Sequence, residues 1–204
     1  VNNALRSRKH LIVEADTGVG KSLAYLIPGI IYSIESKEKI LISTNTINLQ
    51  EQLLYKELPL LKKIIPDDFT AVLMKGRNNY ICLRRLHRAM EDEQGLLIPS
   101  EYKNYLDFLV QWAQSTEDGS KSSLDREPSH QLWDEICCEL DNCLGKKCRF
   151  FNKCFLQKIR IEAGKADVLI VNHHLFFSDL ALKRIGKSFL PNHNSVIIDE
   201  AHFV

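Results

Sequence analysis

The sequence predicts an α/β protein, a parallel sheet flanked by helices and interrupted by a mainly helical insertion. Three observations predict it. Short apolar runs alternate with longer amphipathic stretches through the first third of the chain, the pattern changes over residues 78–165 where the cysteines gather, and apolar runs resume at 166–177 and 195–201. Alternation of this kind marks a parallel sheet, because parallel strands need a crossover and a helix is the compact way to make one.

Each element follows from its own pattern. HLIVEA (10–15) reads as a short buried strand that runs into a glycine-containing loop, and SLAYLIPGIIYSI has helical apolar spacing despite Pro28. KILIS (39–43) is a second strand, TNT a turn, INLQEQLLYKELPLL (47–61) an amphipathic helix, and FTAVLMKG (69–76) a third strand. Within the insertion, YKNYLDFLVQWAQ is helical, 115–123 is polar, and LWDEICCEL reads as an amphipathic helix in which Cys137 and Cys138 fill core or stay as spare thiols. ADVLIVNHHLFF and SVIIDEA return to buried-strand character.

The 204 residues suffice for one medium domain carrying an insertion, and a net charge of +1 with 45% hydrophobic residues carries no global mark of nucleic-acid binding. No apolar run reaches the roughly 20 residues that span a bilayer, and residues 1–10 lack a secretory signal, so no membrane partner and a cytoplasmic location are expected. The first residues read as the end of a helix feeding the 10–15 strand, as in a piece of a longer protein.

Two distant stretches carry one chemistry. EADTGVGKS (14–22) follows the loop pattern GxxxxGK[ST], in which backbone N–H groups wrap phosphates, the lysine reaches the outer phosphates and the hydroxyl helps to hold magnesium. Thr17, Gly18, Val19, Gly20, Lys21 and Ser22 form the predicted cradle, with Ala15 in place of the first glycine and Asp16 repelling a triphosphate unless it points outward. VIIDEAH (196–202) puts Asp199 at a strand's C-terminal end, where open α/β sheets bind ligands, to hold magnesium beside Ser22. Glu200 then orients and deprotonates the attacking water, so Lys21, Asp199 and Glu200 are the predicted catalytic set.

Cys143, Cys148 and Cys154 have the spacing C-x4-C-x5-C, and Cys82 lies about sixty residues earlier. Four thiolates from separate loops are suited to a tetrahedral zinc or an iron–sulfur cluster, and the spacing leaves both open, beside the plain reading of buried or free thiols. Asn172, His173 and His174 suggest a metal pair only superficially, since adjacent histidines at a strand end point to different faces.

In their order, these motifs resemble those of the XPD/DinG group of iron–sulfur superfamily-two DNA helicases. EADTGVGKSLAYLIP is similar to motif I, ILISTNTINLQEQL to motif Ia and VIIDEAH to motif II, while KGRNNYICLRRL carries the first cluster cysteine and ADVLIVNHHLF precedes the acids. The resemblance covers nearly the whole chain and is closer to the bacterial DinG type. It implies a RecA-like P-loop NTPase lobe in two parts, 1–77 and 166–204, around an iron–sulfur insertion at 78–165. It further implies ATP and Mg2+, a [4Fe-4S] cluster on Cys82, Cys143, Cys148 and Cys154, and 5′-to-3′ unwinding of DNA in repair or replication by a monomer. His202 would couple the nucleotide to the DNA path.

Single-stranded and forked or otherwise structured DNA are the implied partners. Thr44 and Asn45 lie where family motif Ia meets the single strand, although residues of this type also cap helices. Lys75, Arg77, Arg84, Lys146 and Arg149 flank the cysteines as phosphate contacts, and Tyr80 is a base-stacking candidate. The competing reading is a metal-pinned single-stranded-DNA-binding module whose P-loop only senses nucleotide.

Overall fold

The computed structural model describes residues 1–16, 18–93 and 100–204. In chain order the main elements are α1 (Asn2–Ser7), α2 (Lys21–Ser36), β1 (Ile40–Thr44), α3 (Ile47–Gln52), α4 (Leu58–Ile64), β2 (Ala71–Leu73), α5 (Leu83–Glu93), α6 (Ser100–Ser115), α7 (His130–Ile136), α8 (Phe155–Lys165), β3 (Val168–Asn172), α9 (His173–Lys183) and β4 (Ser195–Ile198). They form two compact units, residues 1–74 with 160–204, and residues 75–159.

The first unit is the α/β body. Among the described residues, four strands form one all-parallel sheet in the order β2-β3-β1-β4, which is the RecA-like arrangement that the motifs imply. β1 sits between β3 and β4 and is buried along its whole length, as a parallel strand covered on both faces must be. Ile40 and Ile42 face a core with Leu26 and Ile30 of α2, Leu58 and Leu61 of α4, and Val168 and Ile170 of β3. Gly29 lets α2 lie close on the sheet, for a Cβ there would meet Ile197 Cδ1 at 3.4 Å and Ile40 Cδ1 at 3.5 Å. α3 continues into α4 through a wide π turn over Leu53–Glu57, which brings Pro59 into the first turn of α4, where a missing N–H costs nothing.

One predicted element is absent. Residues 10–15 form no strand: Leu11, Ile12 and Val13 are exposed, Ile12 almost completely, and pair with nothing in the sheet. The physical reason lies at β4, whose far edge is open and whose Val196 and Ile198 remain partly exposed. Three apolar residues gain little from joining an edge when no described element covers the outer face of the pairing.

The second unit is mainly helical, with α5, α6 and α7 packed around Leu86, Leu106, Leu109, Leu132, Trp133 and Ile136. Here a second expectation fails. The helix predicted over LWDEICCEL stops at Ile136, and Cys137 and Cys138 are extended. Cys137 bridges Ile81 in antiparallel fashion, with Cys82 N donating to Ile136 O at 2.7 Å and Cys138 N donating to Tyr80 O at 2.8 Å. Pairing with the Tyr80–Cys82 backbone displaces the last turn that amphipathic spacing alone would allow. Gly119 closes the unit's polar turn at φ +62°, where a Cβ would lie 2.3 Å from the Phe155 ring. No helix among the described residues is long and apolar enough to cross a membrane.

Candidate nucleotide site and cysteine pocket

Parallel strands put their C-terminal ends on one edge of the sheet, and the predicted catalytic residues meet at that edge. β4 ends at Ile198, so Asp199 follows directly, and its N–H donates to Ser43 O at 2.9 Å to continue the ladder with β1. α2 starts at Lys21, whose Nζ lies 3.3 Å from Glu200 Oε1 across 179 positions of sequence. Gly20 caps α2 at φ +80° and Gly18 has φ +79°, and a Cβ at either would meet nothing within 4 Å. The loop therefore leaves open space above backbone that only glycine adopts easily, a cradle of the kind that phosphates occupy at a helix N-terminus. Val19 and Asp16 are exposed, Ser22 is half-buried in the first turn of α2, and Thr17 lies outside the described residues.

Asp199 is held from two sides. Its Oδ1 accepts from Glu200 N at 3.1 Å, and its Oδ2 accepts from the Tyr25 hydroxyl at 3.0 Å. Burial first, and then the Asp199 carboxylate, push the Tyr25 phenol far above its ordinary range, so it stays a donor. Glu200 adopts φ 52°, a left-handed conformation that turns its side chain back toward Lys21, and its Oε2 lies 3.4 Å from His202 Nδ1. Two further residues stand behind this edge. Ser43 Oγ and His173 Nδ1 are 2.7 Å apart and buried, while His173 Nε2 finds no hydrogen-bond partner among the described residues. Burial pushes the His173 imidazole below the usual histidine range, against the opposing pull of Asp199. Asn172 caps α9 by accepting from Leu175 N at 2.7 Å, and His174 is exposed, so the two histidines do diverge.

Tyr25 and His173 were not among the predicted site residues. The signal for Tyr25 is its position one helical turn after Lys21, which puts both on one face of α2. For His173 the signal was the NHH run itself, whose chemistry is a buried hydrogen bond to β1.

In the second unit, Cys82, Cys143, Cys148 and Cys154 line one pocket together with Cys138, Leu144, Phe151 and Leu156. Arg84 and Arg85 also line it. No group of three His, Cys, Asp or Glu side chains among the described residues converges tightly enough for a single metal ion. Cys138 is buried, as expected of a core or spare thiol, and it lines this pocket with its sulfur 3.5 Å from Ile81 O. The Cys138 hydrogen bond, opposed by burial and aided by the N–H groups of Arg84 and Arg85, lowers the Cys82 thiol to about 6. Cys154 is lowered to about 6 in the same way, with Gln157 and Leu156 N–H groups assisting, and Cys138 itself is pushed up strongly. Cys137 faces the core and is raised by burial.

The predicted DNA contacts separate by exposure. Lys146 and Arg149 are exposed, and Arg149 stacks over Phe150 at 4.8 Å. Asn45 and Arg77 are half-exposed. Thr44, Lys75 and Tyr80 are buried, which corrects their reading as surface contacts. Thr44 Oγ1 donates to Thr46 O at 3.3 Å, and it is Thr46 that caps α3, accepting from Leu49 N at 3.2 Å. Lys75 Nζ reaches Ser120 Oγ at 3.3 Å and also Ser122 Oγ, and its N–H donates to the Tyr80 hydroxyl at 3.0 Å. A lysine with polar partners inside a fold is a structural cation. Arg84 donates to Asn142 O, and Arg85 donates to the carbonyls of Asp134, Glu135 and Cys137 at the end of α7, so both organise the pocket wall.

Known proteins are similar to this chain in sequence. Residues 1–89 match the DEAD/DEAH box helicase family. Over 99% of its length the chain is 37% identical to the ATP-dependent DNA helicase YoaA of Escherichia coli, and 35% identical to the ATP-dependent helicase DinG of Mycobacterium tuberculosis. DinG of Photobacterium profundum is 37% identical over 96% of the chain. The chain spans 31% of the YoaA sequence and 32% of the mycobacterial DinG sequence, so it corresponds to about a third of such proteins.

Proposed function

The chain belongs to the DinG-type family of DEAD/DEAH box helicases, and from that premise we propose that it is the nucleotide-hydrolysing part of an ATP-dependent DNA helicase. One observation carries the reading: the 3.3 Å contact between Lys21 and Glu200, which unites the glycine loop with the acids at the C-terminal edge of a parallel sheet. Lys21 and Glu200 form an ion pair. An entering triphosphate takes Lys21 onto its outer oxygens, with the backbone of Gly18, Val19 and Gly20 around the rest, and thereby frees Glu200 to orient and deprotonate water. Ser22 and Asp199 would hold magnesium, which neutralises phosphate charge when bound. Tyr25 keeps Asp199 aimed, and His202, on the far oxygen of Glu200, would report the nucleotide state toward DNA.

Cys82, Cys143, Cys148 and Cys154 are the proposed ligands of a [4Fe-4S] cluster, which would act as a structural pin for the 78–165 insertion. The four cysteines line one pocket, as ligands that each bind one iron of a cluster would, and the family resemblance favours iron over zinc. Lys146, Arg149, Arg77 and Asn45 are the accessible candidates for single-stranded or forked DNA. The family resemblance further supports 5′-to-3′ unwinding by a monomer in DNA repair or replication. The test is DNA-stimulated ATP hydrolysis and strand separation by the full-length enzyme. Lys21→Ala is expected to abolish both while leaving the fold intact by circular dichroism. Turnover that survives Lys21→Ala sinks the enzyme reading, and DNA binding with no turnover in the unaltered enzyme favours a nucleotide-sensing binding module.

A further inference from the structure

The cysteine pocket contains one thiol more than a four-ligand cluster uses. We propose that Cys138 is the internal disulfide partner of this pocket: when the pocket is empty of metal and meets a hydroperoxide, Cys138 pairs with Cys82 or Cys154. The inference rests on the reading of the pocket as a metal site, but not on which metal fills it.

Register puts Cys138 there. Ile81 and Cys137 face each other in an antiparallel bridge and are both in the core, so alternation turns their neighbours Cys82 and Cys138 to the opposite face, toward the pocket. The bonds from Cys82 N to Ile136 O and from Cys138 N to Tyr80 O make Cys82 and Cys138 diagonal neighbours across that bridge. Diagonal pairs on one face lie about 7–8 Å apart, within reach of each other's side chains but beyond the usual Cα span of a disulfide, so the bond between Cys82 and Cys138 requires the local backbone to shift. Cys154 immediately precedes α8 and lines the same pocket as Cys138. Cys138 itself is nearly closed off by its neighbours, whereas Cys82 and Cys154 are half-exposed. A small oxidant therefore reaches the ligand cysteines first and the reserve thiol second.

The chemistry balances with a hydroperoxide as oxidant. The sulfur of Cys82 or Cys154 attacks the outer peroxide oxygen, the O–O bond breaks, and the other oxygen leaves as alcohol or, from hydrogen peroxide, as water. The resulting sulfenic acid is attacked by the Cys138 sulfur. An S–S bond forms, the S–OH bond breaks, and hydroxide leaves with the Cys138 proton as a second water. Two thiols lose two electrons and the peroxide gains them. Stopping at the disulfide keeps the ligand sulfurs off the irreversible sulfinic and sulfonic steps, so thiol reduction can return the site for metal.

The experiment uses the full chain, stripped of metal by chelator under reductant, desalted, and treated with hydrogen peroxide at a few equivalents. Alkylation of free thiols and peptide mapping by mass spectrometry then identify the linkages. A Cys138–Cys82 or Cys138–Cys154 peptide is expected. In Cys138→Ser that peptide is absent and sulfinic or sulfonic acid at Cys82 and Cys154 is expected to rise roughly tenfold. Iron and sulfide reconstitution after reduction should recover in the unaltered chain and fail in the variant. Cys138→Ala serves as the second variant, with circular dichroism to establish that each folds. Cys138 alkylated as a free thiol after oxidation, or equal over-oxidation with and without it, overturns the proposal. Iron and sulfide analysis of the untreated protein separately decides the cluster reading, since a zinc-containing or metal-free protein still tests the disulfide.

Discussion

The nucleotide edge and the cysteine pocket are built in opposite ways. The first joins a contiguous loop, Gly18 to Ser22, to two acids that follow one strand, and the parallel ladder between β1 and β4 does the joining. The second gathers Cys82 from just before α5, Cys138 from just after α7, and Cys143, Cys148 and Cys154 from the irregular stretch that leads into α8. Chemistry that resides in backbone and adjacent residues survives as a motif. Chemistry that resides in convergence depends on which short segments pair, and there one extra cysteine entered the site unannounced.

The largest test of that contrast is Glu200→Gln. The substitution preserves size and the contact to Lys21 but removes the base, so ATP turnover in the full-length enzyme should fall by about 10²–10⁴-fold, with nucleotide binding retained in a fluorescence titration. A comparable loss of binding would mean that Glu200 shapes the cradle and does not act on water.

Gly119→Ala addresses the other region. The new Cβ must enter the Phe155 ring and a positive φ besides, so the insertion should lose about 2–4 kcal/mol. Urea unfolding followed at Trp112 and Trp133, both in the 75–159 unit, would measure it. A neutral result would show that the cysteine-bearing unit tolerates rearrangement of the turn beside it.

These two sites also show what was legible in the sequence. Strand-and-helix alternation gave β1, β3 and β4, and the lysine loop and acids identified the edge where they end. Residues 10–15 misled because apolar character is local whereas strand pairing needs a partner edge and a cover. LWDEICCEL misled because its spacing is helical, and only the bridge from Ile81 to Cys137 shows that the helix has ended. Lys75 and Tyr80 misled because basic and aromatic residues in sequence carry no mark of which way they face; here both turn inward toward Ser120 and each other. Tyr25 and His173 hold the site through hydrogen bonds whose partners lie 174 and 130 positions away, beyond the reach of any local pattern.

Lower pH should separate the regions by a smaller amount. Burial depresses both His173 and His193 in the α/β body, while Asp179 there and Asp118 in the insertion are held below the carboxylate range by hydrogen bonds that outweigh their burial. A histidine depressed in the fold takes up its proton on unfolding, so its contribution is complete above the unfolded value near 6.5 and shrinks as pH falls below it. The depressed aspartates give a loss of the same sign, but only below about pH 4. Hydrogen exchange by mass spectrometry between pH 7 and pH 5 should therefore show the α/β body loosening first. Equal loosening of both regions, or loosening that begins in residues 75–159, would remove the two histidines as its cause.

The smallest effect concerns surface charge. Lys146 and Arg149 are exposed, so Lys146→Gln with Arg149→Gln should leave stability nearly unchanged and weaken single-stranded DNA binding uniformly across sequences. If both side chains neutralise phosphates, the slope of log affinity against log salt should become shallower by about 1.4, roughly 0.7 for each. Lys75→Ala should do the reverse: it strips a buried cation from Ser120 and Ser122 and loosens the insertion, with no direct effect on the salt slope. Fluorescence anisotropy at three salt concentrations distinguishes them. An unchanged slope in the double variant would move the DNA path off this face, and a slope changed by Lys75→Ala in a still-folded protein would return the buried lysine to it.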